Sequence, residues 1–211
     1  MGPLIYVLIA LLGALLGGTS VIIFERMSLG KNASICVLGR KQTGKTLFFN
    51  GLRGLWSVEP EETGVSRVPA FKVTIKNSKG KDEVIKIKET KDIGGSEDFI
   101  ASYYADLLAS STHIIYFCNI YEYMNDAEAR KDVNARLEYI KKYLDDHKKK
   151  IESVFIVLSY GDMVDRKQAR EVFTKYMTGE SFAPFAKRLA IVNMTDRNDV
   201  EELIKNIFYV D

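Results

Sequence analysis

The sequence predicts an α/β fold, a mostly parallel six-stranded sheet flanked by helices and preceded by an N-terminal transmembrane helix. Three observations carry this. Apolar, strand-like runs alternate with helix-period segments through the second half of the chain. A glycine-framed octapeptide joins one such run to a helix-like one, and residues 4–24 contain no charged side chain. Alternating strands and helices call for right-handed crossovers, which set the strands parallel and cover both faces of the sheet.

The run from Leu4 to Phe24 has 21 residues. At about 1.5 Å per residue it reaches about 31 Å as a helix, enough to cross a bilayer core. It is apolar all round and lacks the polar face of a core helix. A cleaved signal peptide is the alternative, with Gly17-Gly18-Thr19-Ser20 resembling a cleavage site. Against it, no Lys or Arg precedes the run, and the run is longer than a usual signal core. Arg26, Lys31, Arg40 and Lys41 all follow the run, which puts the C-terminal side in the cytosol. Tyr6 stands where a myristoylation signal needs Ser or Thr. Residues 1–25 therefore read as a single-pass anchor, 26–32 as a short linker and 33–211 as one domain.

Composition agrees with one domain and an appendage: 211 residues with a net charge of +2. The balanced charge gives no drive toward nucleic acid, and none is expected as a direct partner. Cys36 and Cys118 each sit in an apolar run, which fits buried thiols in a reducing compartment rather than a disulfide framework.

The octapeptide Gly39-Arg40-Lys41-Gln42-Thr43-Gly44-Lys45-Thr46 has the spacing G-x-x-x-x-G-K-[ST] of a phosphate-binding loop. It follows the strand-like Ser34–Leu38 and opens onto the helix-like run from Leu47. Gly39 and Gly44 let the backbone curl so that successive N–H groups face phosphate oxygens, with Gln42, Thr43 and Leu47 completing the cradle. The helix N-terminus adds partial positive charge. Lys45 reaches the β- and γ-phosphates, and the Thr46 hydroxyl ligates Mg²⁺. The alternative, a glycine turn with a stray lysine, is opposed by the strand before and the helix after.

That helix runs roughly from Lys45 to Leu55, with Trp56 packed near its base. Residues 59–66 read as an exposed loop. Phe71, Val73 and Ile75 alternate with polar residues, a turn follows at 77–82, and Val84–Lys88 returns, making a hairpin with a wetted, lysine-rich face. Strands are expected at 114–118, 154–158 and 189–192, and helices at about 98–109, 126–144, 167–176 and 199–208. His147-Lys148-Lys149-Lys150 reads as a helix C-terminal cap. His113 and His147 lack metal partners, and no hydrolase triad or zinc spacing competes with the phosphate loop.

Asp92-Ile93-Gly94-Gly95 closes the hairpin's second strand; an Asp there can hold Mg²⁺ through water, and the Gly95 amide can meet a γ-phosphate. With these motifs, Ala33 to Val210 resembles the Ras-like small GTPases of the P-loop NTPase fold. The nearest resemblance is to the Arf-like branch and the membrane-anchored beta subunit of the signal-recognition-particle receptor. The resemblance implies GTP or GDP with Mg²⁺ as cofactors. It makes Thr63, followed by Gly64, the switch threonine that closes over the γ-phosphate and metal, with Ser66 the alternative. Lys45, Thr63 and Gly95 would then serve catalysis, and Thr46, Thr63 and Asp92 the metal. The guanine-reading Asn-Lys-x-Asp of the family corresponds to Ser159-Tyr160-Gly161-Asp162, which keeps the carboxylate but loses the amide and the lysine. Asn193-Met194-Thr195 stands for the last motif, with Asn193 beside the base. Ser96 holds the place of the water-orienting glutamine and is too short for it. The expectation is a GTPase with weak intrinsic hydrolysis, recruiting a partner protein or regulator at the cytosolic membrane face. That membrane is the endoplasmic reticulum if the receptor-subunit resemblance holds. A constitutively nucleotide-bound scaffold and a P-loop ATPase or kinase are the alternatives.

Overall fold

A computed structural model describes residues 32–57, 64–76, 80–96, 98, 100–149 and 154–208. The strands are β1 (Asn32–Ala33), β2 (Ile35–Gly39), β3 (Val65–Val68), β4 (Phe71–Lys76), β5 (Asp82–Ile87), β6 (Thr90–Ile93), β7 (His113–Asn119), β8 (Val154–Ser159) and β9 (Leu189–Ile191). The helices are α1 (Lys45–Leu52), α2 (Ala105–Ser110), α3 (Ile120–Asn125), α4 (Ala127–Asp146), α5 (Arg166–Met177) and α6 (Arg197–Ile207). A π-helical turn at Ile100–Tyr104 leads into α2, and a 3-10 turn at Ala183–Lys187 leads into β9.

In place of the expected single six-stranded sheet, pairing divides the described strands among a four-stranded parallel sheet β2-β7-β8-β9, a three-stranded sheet β1-β5-β4 and the two-stranded ladder β3-β6. In the parallel sheet Gly39 lies opposite Phe117, Asn119 opposite Ser159 and Leu158 opposite Ile191. These strands are apolar at nearly every position because both their faces are covered. Period-2 alternation then sorts their side chains. Val37, Ile115, Phe117 and Val157 pack on one face with Phe48 of α1 and Leu203 and Ile207 of α6. Cys36, Leu38, Ile114, Tyr116 and Ile156 pack on the other with Leu137 and Ile140 of α4 and Phe173 of α5. Both cysteines are buried free thiols, and burial pushes the Cys36 thiol up to about 12. Such thiols are inert.

The antiparallel part is the expected hairpin, longer than the sequence suggests. β4 pairs with β5, and β3 continues the ladder on β6, with Ser66 opposite Asp92. Residues 65 and 66 had read as loop; Val65 to Arg67 are exposed, and it is pairing with β6 rather than an apolar period that makes them a strand. Asn32, assigned to the linker, pairs with Lys86, so sheet pairing begins inside that segment. The helix expected from residue 98 is π-helical over Ile100–Tyr104 before it becomes regular. The short α3 was not anticipated, being too brief to show a period. Residues 4–24 lie outside the described residues, among which no helix is long and apolar enough to cross a membrane.

Helix starts follow the cap rule. Asn119, Asp126, Asp165 and Asp196 each accept backbone N–H bonds at the N-termini of α3, α4, α5 and α6. The basic cluster after α4 departs from expectation. His147 does end α4 and stacks on Tyr143, but Lys149 reaches back to the carbonyls of Leu108, Ala109 and Ser111 and caps α2 instead.

One buried ionic chain crosses the second core. Arg136 of α4 is 2% exposed, bonds Asp132 through Nε at 2.9 Å and donates to the Tyr104 hydroxyl at 3.3 Å. Asp132 also takes Arg40 Nε at 2.9 Å. Removing the Asp132 carboxylate strands a buried guanidinium, which typically costs about 3 kcal/mol or more. Asp132→Ala should lower the unfolding free energy in urea by that amount. A loss below about 1 kcal/mol would show that Arg136 finds another partner.

Candidate functional site

The carboxyl ends of β2, β6, β8 and β9 open onto a single cavity of about 800 Å³. It is walled by residues 41–47 of the phosphate loop and α1, by Gly64 and residues 93–96, by Ser159, Tyr160, Asp162 and Met163, and by residues 193–195. In an open α/β sheet this edge is where ligands bind. Four loops far apart in sequence meet there, three of them following strands of the parallel sheet and one following β6.

The phosphate loop is built by steric exclusion. Gly39 has φ +140°, and a Cβ there would lie 2.3 Å from the Phe117 carbonyl oxygen of the neighbouring strand. Gly44 has φ +90°, and a Cβ would lie 2.7 Å from Met194 Cγ. Only glycine fits either place. Gln42 also takes a left-handed conformation, at φ 57°. Gly44 leads into α1 without a side-chain cap, and no acidic residue occupies the first turn. Unlike α4, α5 and α6, this helix therefore keeps its first N–H groups and its positive dipole end for an anion.

Lys45 is 6% exposed, and its ammonium donates to the carbonyls of Gly39 at 3.2 Å and Arg40 at 2.6 Å. Burial pushes it down to about 8, the Asp92 carboxylate opposing the shift and Arg136 adding to it. Thr43 steadies the same turn through a 2.9 Å bond to the Arg40 carbonyl. Thr46 Oγ1 donates to Asp92 Oδ2 at 2.8 Å, whereas the buried Asp92 Oδ1 has no hydrogen-bond partner. Burial raises the Asp92 carboxyl, with the bond from Thr46 and the Lys45 charge pulling it back. A hydroxyl beside a carboxylate with an unmatched buried oxygen is a donor set that fits a hard divalent cation. No cluster of three His, Cys, Asp or Glu suited to a metal occurs among the described residues. A cation held at Thr46 and Asp92 would complete its shell with ligand oxygens and water.

Gly95 closes the site from the other side. A Cβ on it would lie 2.0 Å from both the Arg40 carbonyl carbon and the Lys41 nitrogen, so its backbone rests directly on the phosphate loop. Gly94 N donates to the Gly64 carbonyl at 2.6 Å, tying this turn to the segment before β3. Thr63 lies outside the described residues. Ser66 is exposed in β3 and is not part of the cavity wall. Ser96 and Leu47 line the cavity, while Gly39 contributes its fold and its carbonyl rather than a wall. Arg40 points away from the cavity: it bonds Glu122 at 2.8 Å and Asp132 at 2.9 Å.

At the far end, Asp162 is exposed in the wall. Ser159 is 1% exposed and donates to the Cys118 carbonyl at 3.2 Å. Asn193 spends its side-chain oxygen on Thr195, accepting from its N at 3.0 Å and its hydroxyl at 2.8 Å. Tyr160, φ 61°, donates its hydroxyl to the Gln42 carbonyl at 2.9 Å and so bridges the two ends. The sequence marks Tyr160 as a departure from the motif that could still lie against a base or ribose. Met163 completes the wall and carried no signal of its own, while Met194 and Thr195 lie in the segment that stands for the last motif.

No protein-family model and no curated protein matches the sequence. The fold is similar to that of a solved structure, Methanosarcina barkeri Roco2 RocCORdC bound to GDP, with a TM-score of 0.50 and 19% identity over 85% of this chain and 48% of that one. The chain thus spans about half the length of that protein. At this identity the likeness speaks for the fold alone: α/β with a parallel sheet, consistent with the Ras-like P-loop fold.

Proposed function

We propose that this chain is a membrane-anchored, small GTPase-like switch that binds GTP or GDP with Mg²⁺ and recruits partner proteins at the cytosolic membrane face. The observation that carries the reading is the meeting, at one end of one cavity, of the uncapped α1 N-terminus, Lys45 and the Thr46–Asp92 pair with its unmatched oxygen. Phosphates seated there would take the Lys45 ammonium in exchange for the carbonyls of Gly39 and Arg40. Thr46 and Asp92 would hold Mg²⁺, which neutralises charge on the phosphates. Thr63 is proposed as the switch residue that reaches the same point. Asp162, an acceptor when ionised, matches the N1–H and 2-amino donors of guanine. The anchor rests on the uncharged run of residues 4–24 and the basic residues after it. The Asp92-Ile93-Gly94-Gly95 form and that anchor together support the Arf-like and receptor-beta-subunit resemblance, and with it the endoplasmic reticulum membrane.

One preparation tests the core of this. The full chain expressed in eukaryotic cells should stay in carbonate-washed membranes and, once solubilised and denatured, release about one GDP or GTP per chain. Lys45→Ala should weaken guanine-nucleotide binding by roughly ten- to a hundredfold, since a hydrogen bond from a charged group is worth about 1.5–3 kcal/mol. Release of adenine nucleotides alone would move the reading to an ATPase, and a carbonate-soluble chain would remove the anchor.

The Lys45 environment adds a pH dependence. Burial brings the Lys45 ammonium's loss of a proton down to about pH 8, and a bound diphosphate would keep it charged. Below that pH the charge is the same in both states and affinity is flat. Above it binding takes up a proton, so GDP affinity should fall by up to about tenfold per pH unit. Lys45→Arg, which stays charged, should show no such break in calorimetry.

A constitutively bound scaffold is the second reading, favoured by Ser96 in the cavity where the resemblance expects a glutamine. The two share an outcome for the isolated chain, turnover no faster than the roughly 10⁻⁴ s⁻¹ of unassisted small GTPases. Single-turnover hydrolysis of pre-bound GTP measures it. A rate near 1 s⁻¹ would mean that a complete catalytic set is present after all.

A further inference from the structure

We propose that Arg136, buried in α4, is a positioning residue for the phosphate site: it fixes the two backbone carbonyls from which Lys45 reaches a bound phosphate. The inference rests on the nucleotide reading above and adds a residue outside the cavity wall on which phosphate affinity depends.

Arg136 is 2% exposed, and a guanidinium so deep in a core persists where its donors are matched. Two arms leave it. Through Nε it bonds Asp132 Oδ1 at 2.9 Å, and Asp132 Oδ2 takes Arg40 Nε, also at 2.9 Å. Through Nη1 it donates to the Tyr104 hydroxyl at 3.3 Å. Burial raises the Tyr104 phenol, while Arg136 and then a hydrogen bond from the Gly39 backbone pull it back. The second arm therefore ends on Gly39, as the first ends on Arg40. These consecutive residues are the ones whose carbonyls hold the Lys45 ammonium, at 3.2 Å and 2.6 Å.

Arg136 has no place in the cavity wall, so it acts on a ligand only through the loop. Its charge is also matched within the network, where Arg40 and Arg136 face Glu122 and Asp132. What it contributes is geometry. A guanidinium is a planar fork with donors at fixed angles, so one side chain sets the spacing of Asp132 and Tyr104. That spacing passes to Arg40 and Gly39. On binding, Lys45 exchanges their carbonyls for phosphate oxygens. Carbonyls held in register keep the ammonium aimed into the site beforehand, which lowers the reorganisation that binding requires. A network that served stability alone would have no reason to act through Lys45, and this separates the two roles.

The test uses the full-length chain and competition by GDP against a fluorescent GDP analogue. Four proteins form a cycle: wild type, Arg136→Met, Lys45→Ala and the double variant. Arg136→Met keeps an unbranched stem and removes the fork. It should weaken GDP by roughly 2- to 30-fold, the range for residues coupled to a site whose ligand they do not touch. On the Lys45→Ala background the same substitution should change affinity by less than about twofold, because the group it positions is gone. Tyr104→Phe removes one oxygen from one arm and should weaken GDP by roughly 2- to 10-fold, again only when Lys45 is present. Arg136→Lys keeps the charge without the fork and should resemble Arg136→Met rather than wild type. Circular dichroism melting reports whether each variant folds, and Tyr104→Phe carries the test if Arg136→Met does not. Losses that are equal with and without Lys45 would make the network merely structural and overturn the inference. Wild-type affinity in Tyr104→Phe and Arg136→Met would overturn it too, and full rescue by Arg136→Lys would replace positioning by charge. GDP binding that survives Lys45→Ala unchanged would place the phosphates elsewhere. No GDP binding by the wild-type chain would remove the nucleotide reading and this inference together.

Discussion

A buried ammonium is the constraint around which this domain is arranged. Taking a lysine out of water carries a large cost unless its protons find acceptors. At Lys45 the acceptors are two backbone carbonyls of its own loop, those of Gly39 and Arg40. They face inward only because the chain turns sharply at Gly39, and it can turn there only because no Cβ stands in the way of the Phe117 carbonyl. The register of β2 on β7 is therefore part of the lysine's environment. Tyr116, Phe117 and the doubly covered sheet are as necessary to the site as the loop residues themselves.

The same loop is held from outside by charge. Arg40 leaves the cavity to join Glu122 and Asp132, and Asp132 passes the connection to Arg136 and the Tyr104 hydroxyl. Tyr104 ends the π-helical turn that follows the Gly95 segment. Gly95 in turn rests on the backbone of Arg40 and Lys41. The segment after β6 thus meets the phosphate loop twice, once through backbone contact and once through this ionic chain. A displacement of either would be felt at both, which is the kind of shared, two-sided packing that lets a site transmit a change of ligand.

What the sequence made legible follows from where chemistry or burial dictates residue type. Phosphate binding needs two glycines, a lysine and a hydroxyl at set intervals, so Gly39, Gly44, Lys45 and Thr46 announce themselves. Strands covered on both faces need unbroken apolar runs, so β7 and β8 were visible and their parallel pairing could be anticipated. β3 was not, because Val65, Ser66 and Arg67 are exposed and gain their extended form from β6. Nor was the direction of Arg40, whose carboxylate partners belong to helices far along the chain. The bond from Tyr160 to the Gln42 carbonyl spans 118 residues and involves a backbone carbonyl, which has no signature in any residue's identity. Local chemistry can be read from one line of sequence; contacts between strand ends require the sheet.

The cavity's two halves are unequally equipped, and the inequality bears on what the molecule does with a ligand. The groups that would meet a ligand sit on defined elements: the uncapped end of α1, a lysine held by its own turn, and a carboxylate at the end of β6. Such groups are in place before a ligand arrives and cost little reorganisation when it binds. Positioning a water for attack asks for a polar side chain of the right length beside Gly95, and the residue there is Ser96. Tight, preorganised contacts made equally to ground and transition states raise affinity without raising turnover. Under the proposed nucleotide reading, such a site would favour residence over reaction, and a partner acting at the Gly95 side would supply what Ser96 lacks.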